Sequence, residues 1–145
     1  MGNRVVSRPT AWMVDVDGTL ALIANRNPYD WRAAGDDPPN LAVVTASQAL
    51  AAHPSVAAII VISGREERAR DITANWLQSE GIPCDLLLMR SNGDYRSDEI
   101  VKEELFRRHV EPSYFVAGVL DDRDRVVQMW RRLGLVCFQV AEGTF

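Results

Sequence analysis

The chain has 145 residues and a mass of 16.2 kDa, 47% of it apolar and 25% charged, proportions that suit one globular domain with one core and leave no length for a second. A net charge of −4 and a pI near 5.1 argue against bulk non-specific nucleic-acid binding, so a phosphate-bearing partner must be held by local cations or a metal. No apolar stretch approaches the roughly 20 residues of a membrane span.

Residues 1–9 carry arginines but no apolar core of a secretory signal, and Val6 stands where a myristoylation pattern requires Ser or Thr. Residues 11–17 read as a short apolar strand ending in two acids and a Gly-Thr turn. Residues 20–40 are polar and turn-rich, which predicts an irregular flap. Residues 41–52 have helical spacing behind an Asn40 cap and stop before Pro54. Residues 56–62 form a continuous apolar, β-branched run, as for a strand buried on both faces. A helix over 66–80 closes at Gly81 and Pro83, and a strand follows at 85–89. After the turn-like 91–94, Ser97 or Asp98 caps a helix to about His109. A strand at 114–120, a helix at 125–133 and a strand at 135–140 complete the chain. Cys84 and Cys137 lack CxxC or metal spacing and read as buried thiols of a reducing, cytoplasmic compartment.

This alternation predicts an α/β fold with three α/β/α layers, Rossmann-like, around a parallel five-stranded sheet. Ligands of such a sheet bind beyond the carboxyl ends of its strands. Three strands end there in polar residues: Asp15-Val16-Asp17-Gly18-Thr19, Ser63-Gly64-Arg65 and Asp121-Asp122-Arg123. Asp15 and Asp17 are two apart in extended chain, so their carboxylates share one side. Four acids gathered this way would repel one another without a cation, and oxygen-only ligands suit Mg2+ better than zinc. Every cationic residue except Lys102 is an arginine. Either codon usage explains that bias, or Lys102 marks a place that needs a compact ammonium.

Each piece also has a plainer reading. Asp17 and Asp122 could cap turns, Ser63-Gly64-Arg65 a helix, and Asp98 with Lys102 could be an (i, i+4) helix pair. His53 and His109 read as helix-end residues, and Trp76 and Trp130 as core. What favours chemistry is that the acids and cations converge on one sheet edge.

Asp15-Val16-Asp17-Gly18-Thr19-Leu20 resembles the first motif of the haloacid dehalogenase-like (HAD-like) phosphatases, and Ser63, Lys102 and Asp121-Asp122 follow in the order of the other three. The segments 26–30, 63–65, 93–98, 101–104, 121–123, 126–132 and 139–145 further resemble the phosphatase domain of phage polynucleotide kinase–phosphatases. The likeness runs from about residue 11 to 145. It departs from those enzymes in lacking their kinase domain: no GxxxxGK[ST] occurs, so 5′-kinase activity is not expected here. The kinase would then be absent or a separate polypeptide, and a separate kinase or ligase is a candidate partner.

The resemblance implies a Mg2+-dependent polynucleotide 3′-phosphatase that repairs DNA or RNA ends, in the host cytoplasm if phage-encoded. Asp15 would be the nucleophile, forming an aspartyl-phosphate. Asp17 would be the general acid and then base, with a pKa raised by neighbouring acids. Mg2+ would be held by Asp15, Asp17 (through its carbonyl) and Asp122, with Asp121 direct or through water. Ser63 would bind a phosphoryl oxygen, Lys102 would neutralise nucleophile and phosphate, and Asp98 would orient Lys102 or an arginine. Arg26 and Arg65 would bind phosphate or brace the site, and Thr19, Gly64 and Arg96 would contact substrate. Neither the stretch after Thr19 nor the turn after Met89 has room for a cap domain. The open site this implies suits a polymer end, with Arg26, Arg32, Arg90 and Arg96 on its rim and Tyr29 or Trp31 stacking a base or packing the flap. The alternatives are a small-molecule phosphomonoesterase and a phosphatase-like subunit that docks a kinase or ligase. A homo-oligomer is compatible with all three.

Overall fold

The computed structural model describes residues 7–23, 26–27 and 29–145. Asn25 and Pro28 of the predicted flap, and residues 1–6 with their signal and lipidation readings, lie outside the described residues. The strands are β1 Thr10–Val14, β2 Ala58–Glu66, β3 Leu86–Arg90, β4 Phe115–Asp121 and β5 Cys137–Gln139. All pair in parallel, in the order β3-β2-β1-β4-β5. The helices are α1 Leu41–Ala52, α2 Arg70–Ser79, α3 Asp98–His109 and α4 Asp124–Arg132.

Alternate strand residues enter two separate cores. Val14, Ile59, Val61, Leu87 and Leu120 pack with Val43 and Val44 of α1 and Trp76 and Leu77 of α2. Met13, Ile60, Ile62, Leu88 and Val119 pack with Phe106 of α3 and with Val126, Val127 and Trp130 of α4. A sheet covered on both faces must be apolar on both, which is why its strands read as continuous apolar runs. This is the expected three-layer α/β/α arrangement. Among the described residues no helix is long and apolar enough to cross a membrane.

The chain runs from β1 outward to β2 and β3, then returns to place β4 on the other side of β1. The strand order therefore reverses between β1 and β4, and a crevice opens beyond their carboxyl ends. Asp15 follows β1, and Asp121 and Asp122 stand at the end of β4, directly across that crevice.

The structure corrects several local expectations. Ser63-Gly64-Arg65 is not a helix cap, because β2 continues through it to Glu66 and pairs with Met89 and Arg90 of β3. A 3-10 turn, Glu67–Ala69, then delays α2 to Arg70. Asn40 and Ser97 occupy the N-cap positions of α1 and α3 without side-chain capping bonds. The flap contains a 3-10 helix, Trp31–Asp36, and returns to the core through bridges of Ala21 with Asp17 and Pro39. Cys84 is exposed rather than buried, since it sits in the loop after Pro83 and before β3; Cys137 is buried.

Candidate active site

Asp15 sits where β1 gives way to a tight turn, and its carboxylate is almost wholly withdrawn from solvent. The turn needs Gly18 for two reasons. Its φ is 83°, in the left-handed region, and a Cβ there would collide with the Asp122 carboxylate. Thr19, fully buried, places its hydroxyl 2.9 Å from Asp15 and 3.2 Å from Asp122, so one hydroxyl proton bridges the two acids. Lys102 projects from α3 and is 2% exposed. Its ammonium donates to Asp15 at 2.7 Å and to Asp121 at 3.1 Å. The (i, i+4) reading fails here, because neither hydrogen bond of Lys102 goes to Asp98.

Three buried acids thus face one ammonium. Burial and the nearby Asp121 charge push the Asp15 carboxyl well above the usual carboxylate range, despite the opposing pull of Lys102. Burial raises Asp122 as well. Burial alone would lower Lys102, but the charges of Asp121 and Asp15 outweigh it and hold the ammonium above its ordinary value.

This donor set fits a hard divalent cation: carboxylate oxygens of Asp15, Asp121 and Asp122 lie within 4.8 Å of one another, with no nitrogen or sulfur among them. The two neighbouring aspartates are not equivalent. One Asp121 oxygen accepts from the backbone N–H of Asp122, and the other from Lys102 and from the Trp130 indole N–H at 3.2 Å. Asp121 is therefore already tied to three protein donors, whereas Asp122 shares side-chain hydrogen bonds with the Thr19 hydroxyl and with Asp15. Trp130 is core, as expected, but it also fixes a site carboxylate. Sequence reading missed that role because the indole's apolar bulk alone explains its place on the helix.

Asp17 stands apart from this cluster and is its more open neighbour, with a side chain 31% exposed. Its surroundings are not acidic, as the sequence suggested, but cationic. Arg65 donates to it through Nε at 3.0 Å and through Nη2, and Arg26 lies 3.7 Å away. Behind both arginines is the buried Asp37, which accepts from Arg26 at 2.6 and 2.8 Å and from Arg65 at 3.2 Å. Thr73 takes a further Arg65 N–H at 3.0 Å. Asp37 and Thr73 are brace residues that the sequence did not reveal. The available signal was that two arginines entering one site need a buried counter-charge.

A third cluster braces the entrance to α3. Asp98 accepts from Arg123 at 2.7 Å and from Arg90. Of the two orienting roles expected for Asp98, the structure shows the one toward arginine. Gly64 passes so close that a Cβ on it would lie 2.7 Å from the Asp98 carboxylate. Arg90 is not a rim residue: it is buried and donates to the carbonyls of Gly64, Asp94 and Arg96. Ser63 is buried within β2, its hydroxyl accepting from the Arg65 N–H at 3.1 Å. Arg96 is not drawn into the cluster and pairs on the surface with Asp94 and Glu104, at 2.8 and 2.7 Å.

Residues 9–145 match the family of the polynucleotide kinase PNKP phosphatase domain. A protein of Autographa californica nuclear polyhedrosis virus, which carries the name of a bifunctional polynucleotide kinase/RNA ligase, is 36% identical over 128 residues, covering 86% of this chain and 18% of its own length. Among solved structures, a chain of a Pnkp1/Rnl/Hen1 complex superposes with a TM-score of 0.91 at 43% identity, across 99% of this chain and 50% of its own. A chain of the Pnkp1/Rnl/Hen1 RNA repair complex does so with a TM-score of 0.92 at 42% identity, across 99% and 46%. The present chain therefore spans half or less of each of these relatives.

Proposed function

The chain belongs to the PNKP phosphatase-domain family of the HAD-like phosphatases, and from that premise we propose that it is a polynucleotide 3′-phosphatase working through Asp15. The observation that carries the reading is the buried contact of Asp15 with Lys102 beside two further acids at the β1–β4 crevice. A buried carboxylate held by an ammonium, with spare acid charge for a divalent cation, is what phosphoryl transfer to an aspartate requires.

Asp15, Asp122 and the Asp17 carbonyl would hold Mg2+, with Asp121 behind them, and the ion would offset charge on the phosphoryl oxygens. In the first step an Asp15 oxygen attacks phosphorus and the bond from phosphorus to the 3′ oxygen breaks. That oxygen takes a proton from Asp17 and leaves as a 3′-hydroxyl, with the phosphoryl group now on Asp15. In the second step water attacks phosphorus, Asp17 accepts its proton, and Asp15 is released with inorganic phosphate. Lys102 and the Ser63 hydroxyl stabilise the phosphoryl oxygens.

Asp17 can deliver a proton only after it gives up its contact with Arg65, takes a proton from the solvent to which its side chain is open, and turns to the leaving oxygen. An incoming phosphate competes for the same guanidinium and drives that release. Arg65, braced by Asp37 and Thr73, is accordingly assigned to both resting carboxylate and substrate phosphate. Arg26 holds Asp37 in place, and Asp98 sets Arg123 and Arg90. Thr19, through its hydroxyl, orders Asp15 and Asp122 rather than touching substrate.

A 3′-hydroxyl is what a ligase consumes. The likeness to proteins named for RNA ligase and RNA repair supports RNA ends as substrates and a separate ligase as partner. The test is phosphate release in Mg2+ from matched oligoribonucleotides and oligodeoxynucleotides bearing either a 3′- or a 5′-phosphate. Selective 3′ release supports the reading. Equal release from both ends, or from mononucleotides alone, moves it to a general phosphomonoesterase.

A further inference from the structure

We infer that Tyr29, Trp31, Arg32 and Arg68 form a subsite that grips the nucleotide next to the reacting 3′ end, Arg32 and Arg68 on its backbone phosphate and Tyr29 on its base. The inference rests on the polynucleotide reading above and extends it to residues outside the acid cluster.

Trp31 opens the 3-10 helix of the flap and is partly buried against the core that contains Trp76. Two guanidinium groups lie over its ring: Arg32 at 5.1 Å and Arg68 at 5.9 Å from the centroid. An indole anchored on the core thus holds two flexible cations in place by cation–π attraction. The arrangement also decides between the two rings considered for stacking. The Trp31 ring is engaged by guanidinium groups, whereas Tyr29 is 89% exposed and its backbone N–H is tied to Asn27 Oδ1 at 3.0 Å.

The other arginines of this edge are already committed. Arg26 and Arg65 hold Asp37 and Asp17, Arg90 is buried on Asp98 and three carbonyls, Arg96 lies between Asp94 and Glu104, and Arg123 holds Asp98. Arg68 has one nitrogen 3.2 Å from Glu66 and a side chain about half exposed. Arg32 is exposed and carries no carboxylate partner among the described residues. In a chain of net charge −4, a pair of guanidinium groups on one aromatic ring is a local anion site, and the planar fork of arginine matches a phosphodiester.

The subsite is also correctly placed. Arg68 follows Arg65 just beyond β2, and Trp31 follows Arg26 in the flap. Both segments thus continue along the chain from the two arginines that flank Asp17. A strand whose terminal phosphate reaches Asp15 past Asp17 would lay its next phosphodiester along them.

The experiment measures binding of a fluorescent single-stranded hexaribonucleotide with a 3′-hydroxyl end by anisotropy, so it does not depend on turnover. The double variant Arg32→Ala/Arg68→Ala should bind about 10-fold more weakly, and Tyr29→Ala about 5-fold more weakly. The slope of log affinity against log salt should fall by about 1 in the double variant and stay unchanged in Tyr29→Ala. Arg107→Ala/Arg108→Ala, an equal charge change at the far end of α3, serves as control and should shift affinity less than about 2-fold. In parallel, the preference for a 3′-phosphorylated hexamer over a 3′-mononucleotide should shrink by about 10-fold in the double variant. Unchanged affinity and salt slope in the double variant, or a control that loses as much, would overturn the subsite. Retained binding differences in a protein that releases no 3′-phosphate would leave the subsite standing and overturn the proposed reaction.

Discussion

Replacing Lys102 by Met removes an ammonium from beneath three buried acids while keeping most of the side chain's apolar length. The ammonium lies 2.7 Å from Asp15 and 3.1 Å from Asp121. At an effective dielectric constant of about 20, each contact is worth roughly 5–6 kcal/mol of Coulomb attraction. Desolvation of the buried charges cancels part of that, and removing one partner of such a pair costs about 3–5 kcal/mol in practice. With a urea slope of about 1–2 kcal/mol per molar, the unfolding midpoint in EDTA should fall by about 2 M. The deficit has a defined pH dependence. Asp15 and Asp122 bind protons more readily in the fold than in the unfolded chain, so their contribution to stability falls as pH rises. The variant's deficit should therefore shrink toward acid, where these carboxyls are protonated, and be greatest near neutrality. Mg2+ should raise the variant's midpoint more than that of the parent, because the cation replaces the missing charge. Lys102→Arg should not restore stability, since the ammonium it replaces is buried and a forked guanidinium is bulkier. An unchanged midpoint in EDTA, or a deficit indifferent to pH, would refute the reasoning.

Three further outcomes follow from the same geometry. Asp15→Asn should abolish phosphate release yet raise metal-free stability at neutral pH by about 1–2 kcal/mol, read from urea midpoints, because it deletes a buried charge that the fold disfavours. Gly18→Ala should cost about 1–3 kcal/mol and weaken Mg2+ affinity measured by calorimetry, since both its φ of 83° and the displaced Asp122 carboxylate oppose a methyl group. Trp130→Phe keeps the ring against Phe106, 5.8 Å away, and loses only the N–H to Asp121. Turnover should fall about 10-fold with a stability loss near 1 kcal/mol, and a variant with parental turnover would show that this bond does not position Asp121.

The layered fold was legible because both faces of the sheet are covered, which turns each central strand into an apolar run that few other arrangements tolerate. The acid cluster was legible because Asp15, Asp121 and Asp122 stand at strand ends, where a parallel sheet concentrates its ligands. What sequence did not show depends on pairing across the fold. Ser63-Gly64-Arg65 has the residues of a helix cap, yet it stays in β2 because Met89 and Arg90 supply a neighbouring strand. Asp37 looks like one more acid of a polar flap, and only its burial between Arg26 and Arg65 makes it a brace. Arg90 reads in sequence as a rim residue, but carbonyls from β2 and from the loop before α3 converge on its guanidinium and take it inside. Asp17 was expected among acids because its sequence neighbour is Asp15. The bend at Gly18 turns it instead toward arginines contributed by β2 and the flap.

The central claim is that a 3′-terminal phosphate passes through a covalent bond to Asp15. The most direct test is a rapid acid quench of the protein with Mg2+ and an oligonucleotide radiolabelled in its 3′-phosphate, followed by mapping of the labelled peptide. The account predicts transient, hydroxylamine-labile label on the peptide containing Asp15, absent from Asp15→Asn and absent when the label is in a 5′-phosphate. Turnover of the 3′-phosphate without label on that peptide, or label that persists in Asp15→Asn, would contradict it.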